Sequence, residues 1–200
     1  MEFGVFNNFW DGHPNHLPFL NLRESKGDPK EWNLATSISK LYSILNSHSD
    51  LDVNEGIRQL IKSEDWRPHI VALISILSFD SQRRNEFIDL LWDRLSNGSW
   101  TSPQILVVLS IIDTDFKSKA TKITTEGFTV NYSQLTSIEH HVSRGGTNTK
   151  DAIGKVVAVI NFILNNIETD TADSDQGASI AKHWTDRLNE LIDKGKIKVG

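Results

Sequence analysis

The chain is 200 residues long with 38% hydrophobic and 24% charged residues, the make-up of a globular domain that buries roughly 70% of its unfolded surface at this length. A net charge of −5 and a pI near 5.8 weigh against a dedicated nucleic-acid binder, whose affinity comes mainly from clustered Lys and Arg. The absence of cysteine excludes disulfides and thiolate metal sites, and no apolar run reaches the ~18 residues of a membrane span.

The first residues show no basic start followed by an apolar stretch, so no secretory leader is expected and the cytoplasm is the expected compartment. Residues 1–28 hold Phe3, Phe6, Phe9, Trp10 and Phe19 without a helical period, and read as an irregular arm laid over a core, because aromatics at this density are rarely left in water. Asp28 and Pro29 have the character of an N-cap and a first helical residue, which predicts a helix over 29–47. Val53, Ile57, Leu60 and Ile61 trace one stripe of a short amphipathic helix ending at Lys62.

Asp65, Trp66 and Pro68 then open an apolar run to Phe79, and Phe87, Leu90, Leu91 and Leu95 mark a partner helix over 81–97, ended by Asn97 and Gly98. Ser99, Trp100 and Pro103 open another apolar run to Ile112. Beyond it Phe116, Ala120 and Ile123 predict about two helical turns, and TTEGFTVNY predicts a hairpin or extended loop around Gly127. A shorter helix is expected over 133–144, a further apolar helix from about Lys150, and a last one over 175–194. Asp175 is its expected cap, and Ile180, Trp184, Leu188 and Leu191 its buried face.

Four of these stretches are variants of one helix: ISKLYSIL from Ile38, IVALISIL from Ile70, ILVVLSII from Ile105 and VVAVINFI from Val156. Aligned, they place Leu41, Leu73, Val108 and Val159 in one column and Ser43, Ser75, Ser110 and Asn161 in another. Such self-similarity marks a helical array in which each unit buries its face against its neighbours. The first copy is the most polar, with Ser39 and Lys40, as an end cap requires. The second and third are apolar on nearly all sides and are expected between layers. The last interval is longer than the others, so residues 122–150 form an insertion expected to protrude or fold over one surface.

Over residues 30–194 this pattern resembles HEAT-like helical-hairpin repeat proteins in unit length and in the alternation of a buried with an amphipathic helix. The resemblance implies an all-α fold, a right-handed stack of antiparallel helix pairs in a single domain. Residues 1–28 are its arm, 29–121 carry repeats one to three, 122–150 the insertion and 151–200 the last repeat. It transfers no functional residue.

Trp32, Trp66 and Trp100 each stand just before an apolar helix. Two roles are open to them: a hydrophobic staple that fixes how the chain enters the helix, and a row of aromatics offered to a partner. Ser43, Ser75 and Ser110 lie in no nucleophile elbow, and a buried helical Ser ordinarily bonds the carbonyl one turn back. His13 and His16 sit around Pro14 and lack the ligand count of a metal site. The acids Glu168, Asp170, Asp173 and Asp175 do not match the calcium-loop spacing and are better suited to a helix N-terminus. Arg67, Arg83 and Arg84 form a weak basic cluster that faces either solvent or an acidic partner.

The insertion brings Phe128 and Tyr132 out of any helical stripe and adds His140, His141 and Arg144, the composition of a contact hot spot; the competing role for the two aromatics is a lid on the third unit. These residues, with Trp66, Trp100, Arg67, Arg83 and Arg84, are the candidate contact set. No catalytic residue, cofactor or metal is expected. The sequence reads as a non-catalytic protein-binding module whose partner is another protein, with the size and mild acidity of a bacterial inhibitor, immunity or adaptor protein. The alternative is a HEAT-like nucleic-acid processing enzyme of the DNA glycosylase type, which requires Arg58, Arg67, Arg83, Arg84, Arg94 and Arg187 to converge on a basic concave face near Trp66 and Asp65.

Overall fold

In a computed structural model of the chain, a 3-10 helix, Gly4–Phe9, precedes α1 (Leu17–Asn21), α2 (Leu34–Ser47), α3 (Asp50–Lys62), α4 (Trp66–Leu77), α5 (Ser81–Ser96), α6 (Ser102–Ile112), α7 (Phe116–Glu126), α8 (Thr149–Asn165) and α9 (Gly177–Asp193). The structure describes residues 3–10, 12–24, 27–128, 149–168, 173 and 176–200, and of 149–153 the backbone alone. The fold is all-α, and no strand occurs among the described residues.

Short polar side chains set where the helices begin. Asn33 Oδ1 accepts from the Thr36 amide at 3.0 Å, Ser49 Oγ from the Asp52 amide at 3.2 Å and Asp65 Oδ1 from the Arg67 amide at 3.0 Å, each satisfying a donor the helix itself leaves open. The first of these corrects the expected start at Pro29: residues 29–32 make a turn closed by Trp32 N to Pro29 O at 3.3 Å, and Asn33 is the cap. At the last helix the cap is Asp173, whose carboxylate accepts from the amides of Gly177 at 2.6 Å and Ala178 at 2.9 Å; Asp175 lies outside the described residues. Helix α7 runs to Glu126, beyond the two turns expected, so residues 124–126 are helical rather than extended. The hydroxyls of Thr121, Thr124 and Thr125 donate to carbonyls one turn back, which lets β-branched residues sit on an exposed helix. The expected helix over 133–144 lies outside the described residues.

The chain divides into two compact units, Met1–Phe87 with Trp184–Gly200, and Ile88–His183. In the first, α3 packs on α4, on α2 and on the 3-10 helix, and α1 packs on α4 and α2. Its core includes Leu41, Ile57, Leu60, Ile70 and Leu73, all fully buried. The aromatic arm covers this core as the sequence predicts: Phe6, Phe9 and Phe19 are fully buried, and Phe9 stacks on Phe19 with ring centres 5.7 Å apart. Phe6 fits because α3 has a glycine opposite it, where a Cβ at Gly56 would lie 2.7 Å from Phe6 Cδ2.

The chain's other end closes the same unit. Trp184 Nε1 donates to Phe19 O at 3.1 Å, Arg187 Nη1 to Asn21 O at 2.8 Å, and the Lys198 amide to the Tyr42 hydroxyl at 2.9 Å. Burial raises the Tyr42 pKa against the opposing effect of that amide. On α9 the buried face runs through Ala181, Trp184, Leu188 and Leu191, whereas Ile180 is 36% exposed, contrary to the expected stripe. Ala178 and Ala181 fill the inward positions near the start of the helix, and Ile180, about 200° round the helix from Ala178, lies on the other side.

In the second unit α6 packs on α7 and α8, and α7 packs on α8. Val108 and Val159 are fully buried here, as Leu41 and Leu73 are in the first unit, so the aligned apolar column is interior in all four copies. The polar column is not uniform. Ser75 is buried and donates to Val71 O at 2.8 Å, Ser110 donates to Val107 O at 2.7 Å, and Ser43 is exposed. Helix α4 is buried from Pro68 through Leu77, but α6 is buried only to Leu109 and again at Ile112, with Ile111 42% exposed. The third copy therefore has one open side where the sequence predicts burial on nearly all of them.

A buried carboxylate fixes the turn after α6. Asp113 accepts from Trp92 Nε1 at 2.7 Å, Lys119 Nζ at 2.9 Å and the Asp115 amide at 2.9 Å. Burial pushes its carboxyl up, but the Trp92, Lys119 and Asp115 hydrogen bonds outweigh burial and hold it below the usual carboxylate range. Trp92 also stacks on Phe116 at 5.9 Å, so the hub joins α5, α6 and α7.

Candidate functional site

The arginines that the sequence offers for contact are engaged by the chain itself. On α4, Arg67 Nη1 lies 3.1 Å and 2.9 Å from the two oxygens of Asp65, and its guanidinium rests 4.9 Å from the centre of the half-buried Trp66 ring. On α5, Arg83 lies 3.7 Å from the Phe79 ring centre, donates from Nε to Asn54 Oδ1 at 2.7 Å and from Nη1 to Asp50 Oδ1 at 2.6 Å. Asn54 Nδ2 in turn donates to Glu86 at 3.2 Å, and Arg58 to the same oxygen at 2.8 Å. The result is a polar chain, Asp50, Arg83, Asn54, Glu86, Arg58, that ties α3 to α5.

Arg84 corrects the expectation of a surface pair. It is 6% exposed, its Nε donates to Ile76 O at 3.4 Å and its Nη2 to Leu77 O. It thus adds a second donor to carbonyls at the end of α4 that already accept from the Phe79 and Gly200 amides, and burial lowers its pKa from the usual arginine value. Neighbouring helix positions diverge by about 100°, so of the two adjacent arginines Arg83 turns toward α3 and Arg84 toward the end of α4.

In the second unit Arg94 Nη2 donates to Asn97 O and Gly98 O, both at 2.9 Å. With Arg187 on Asn21 O, every one of the six arginines required for a basic cradle has an acceptor within the chain. Three carboxylates, Asp50, Asp65 and Glu86, and several carbonyls therefore engage the guanidiniums on which phosphate binding would depend.

Trp100 differs from Trp66. It precedes α6, where Thr101, Ser102 and Pro103 are buried, yet its ring is 55% exposed. Beneath it lies the buried Lys155 of α8, whose Nζ is 5.9 Å from the ring centre. Phe128 is half-buried and follows Gly127, which has a left-handed φ of 89° and ends α7. Tyr132, His140, His141 and Arg144 lie outside the described residues. Of the insertion candidates the structure thus places Phe128 alone, beyond a helix that packs on α8, the helix that also supports Trp100.

His13 is exposed while His16 is buried. No group of three His, Asp or Glu side chains arranged for a metal occurs among the described residues, and no helix there is long and apolar enough to cross a membrane. The polar first copy borders an open groove of about 670 Å³ between α2 and the 3-10 helix, lined by Asn8, Ser39, Lys40, Ser43, Ser47 and His48 among others. Its walls carry hydroxyls, one lysine and His48, whose Nδ1 lies 3.1 Å from Ser47 Oγ and 3.0 Å from Ile44 O, while Ser47 Oγ donates to Ser43 O at 2.7 Å. Comparison with protein-family models, with curated proteins and with solved structures finds no match.

The signals that sequence reasoning missed were local in different ways. A single acid between two helices has no pattern in the sequence, and the importance of Asp113 comes from Trp92 and Lys119, which only the fold brings to it. The exposure of Trp100 is not readable in the sequence, since a staple and a displayed ring have the same sequence.

Proposed function

We propose that this protein is a non-catalytic protein-binding module, of the inhibitor, immunity or adaptor kind, with its contact surface on the second unit around Trp100 and the segment after α7. The observation that carries this reading is the exposure of Trp100, 55% open to solvent at a helix start where its neighbours are buried. A Trp side chain offers about 200 Å² for burial, so covering the open half removes on the order of 100 Å² from water, worth about 2–3 kcal/mol. Tryptophans seated in this way are among the commonest anchors of protein interfaces. The buried Lys155 below the ring gives it a firm base.

The internal engagement of Arg58, Arg67, Arg83, Arg84, Arg94 and Arg187 favours this reading over the glycosylase-like alternative, because binding nucleic acid would require breaking those contacts first. The test compares capture of proteins from the source organism's extract by the wild-type chain and by Trp100→Ala. The expected outcome is one discrete partner retained by the wild type and lost by the variant at an unchanged melting temperature. Equal retention by both would remove Trp100 from the contact surface, and retention of nucleic acid instead would favour the alternative.

A further inference from the structure

We infer that the N-terminal arm of the first unit is an acid-released latch: His16, buried without a hydrogen-bond partner, holds the arm on the helices while neutral and frees it on gaining a proton. His16 immediately precedes α1, is 5% exposed, and neither ring nitrogen has a hydrogen-bond partner. Its ring stacks on Trp10 at 6.0 Å with an interplanar angle of 19°, and Trp10 meets Phe9, which stacks on Phe19. The imidazole is therefore one plate of an aromatic cluster and is held there by its apolar faces. A neutral ring tolerates such a site far better than a charged one, which needs an anion or two acceptors.

Among the described residues the surroundings supply none. From α4 the charged groups acting on the ring are Arg67 and Asp65, and both oxygens of Asp65 are already bound to Arg67. From α2 comes Lys40, its Nζ 5.9 Å from the Phe9 ring centre, and from α9 comes Arg187, bonded to Asn21 O at the end of α1. Among the described residues, cations thus outnumber the single committed carboxylate around this cluster. The His16 pKa is lowered from 6.5 to about 4, by burial first and by Arg67 second, with Asp65 opposing.

The arm is also built to leave as one piece. Backbone hydrogen bonds among the described residues of the arm close within it, as in Phe6 N to Phe3 O, Leu17 N to Pro14 O and Leu22 N to Pro18 O. Its hold on the helices rests on packing of Phe6, Phe9 and Phe19, on Trp184 and Arg187 donating to its carbonyls, and on the Lys196–Glu24 ion pair at 3.0 Å. Releasing it breaks no helix.

If the free arm's histidine titrates at 6.5 and the docked one at about 4, the equilibrium for release shifts roughly 70-fold between pH 7.5 and pH 4.5. Hydrogen exchange of the intact protein, corrected for the intrinsic pH dependence of exchange, reads this directly by comparing arm peptides with α4 peptides in the same sample. The expected result is a loss of protection in residues 3–24 on acidification, with α4 still protected, and its absence in both His16→Phe and His16→Gln. Undiminished arm protection in the wild type at pH 4.5 would overturn the inference. So would the same acid response in whichever of the two variants melts like the wild type at pH 7.5. Loss of arm and α4 protection together would show acid unfolding of the unit and equally reject a latch.

Discussion

Replacing Gly56 by Ala is expected to destabilise the protein, although the same change in an ordinary helix interior stabilises by about 1 kcal/mol through helix propensity. The reason is the seat of Phe6. A Cβ at residue 56 would stand 2.7 Å from Phe6 Cδ2, 3.0 Å from Phe6 Cε2 and 3.1 Å from Phe3 O. Phe6 is fully buried and Phe3 O is backbone, so neither yields in the way the end of a flexible side chain does. Overpacking of this kind costs about 1–3 kcal/mol, which cancels or exceeds the propensity gain and leaves a net loss of up to about 2 kcal/mol. For a chain of this size that is a fall of up to about 8 °C in melting temperature. Urea unfolding followed by tryptophan fluorescence measures it, with an unchanged slope as the sign that stability alone has moved. The decisive comparison is Gly56→Ala in a Phe6→Ala background, where the obstruction is gone and the alanine should stabilise. A more stable Gly56→Ala single variant, or the same sign in both backgrounds, would refute the packing of the arm against α3.

Leu73→Asp and Val108→Asp are each expected to unfold the domain in which they sit, since an unpaired charge in a fully buried position costs several kcal/mol, comparable to the whole stability; a near-normal melting curve for either would contradict the burial of the aligned column. Asp113→Asn should cost about 2 kcal/mol at neutral pH by weakening charge-assisted hydrogen bonds. Because the Asp113 carboxyl is depressed in the folded state, its contribution is present above the ordinary value of 3.8 and lost as the pH falls through the folded one. The gap between wild type and variant should therefore close in acid, and a gap independent of pH would remove the ionised hub. Arg84→Ala should destabilise by about 1–2 kcal/mol, as the carbonyls of Ile76 and Leu77 each lose one of their donors, without affecting partner capture; an effect on capture at unchanged stability would return Arg84 to the surface.

Helix positions were legible wherever a cap and an apolar period agreed. Asp65 ahead of α4 and Gly98 after α5 both fall where the pattern puts them. Where two cap candidates competed, at Asp28 and Asn33, the residue actually reached by a first-turn amide decided, and that is a matter of backbone path. The length of α7 was hidden because its threonines and lysines leave no strong stripe, and its stability comes from hydroxyl back-bonding and packing on α8. Burial of the four aligned residues followed from their repetition. The fates of Ile111, Ile180 and Arg84 did not, since each depends on which neighbour covers which side of a helix.

The contact set was legible in part. Residue type singled out Trp66 and Trp100 alike, and the difference between a ring roofed by Arg67 and a ring standing over Lys155 is a property of the fold. Charge counting already disfavoured a nucleic-acid cradle, but the reason that emerges is more specific than net charge: each relevant guanidinium has its own acceptor.

Photocrosslinking tests the protein-binding claim most directly. A benzophenone side chain installed in place of Trp100 keeps an aromatic at the exposed position and bonds covalently to whatever contacts it in the native cell. The account predicts one discrete protein adduct, absent when the same group is installed at the exposed Lys30. Adducts to nucleic acid, or none above the Lys30 control, would contradict it.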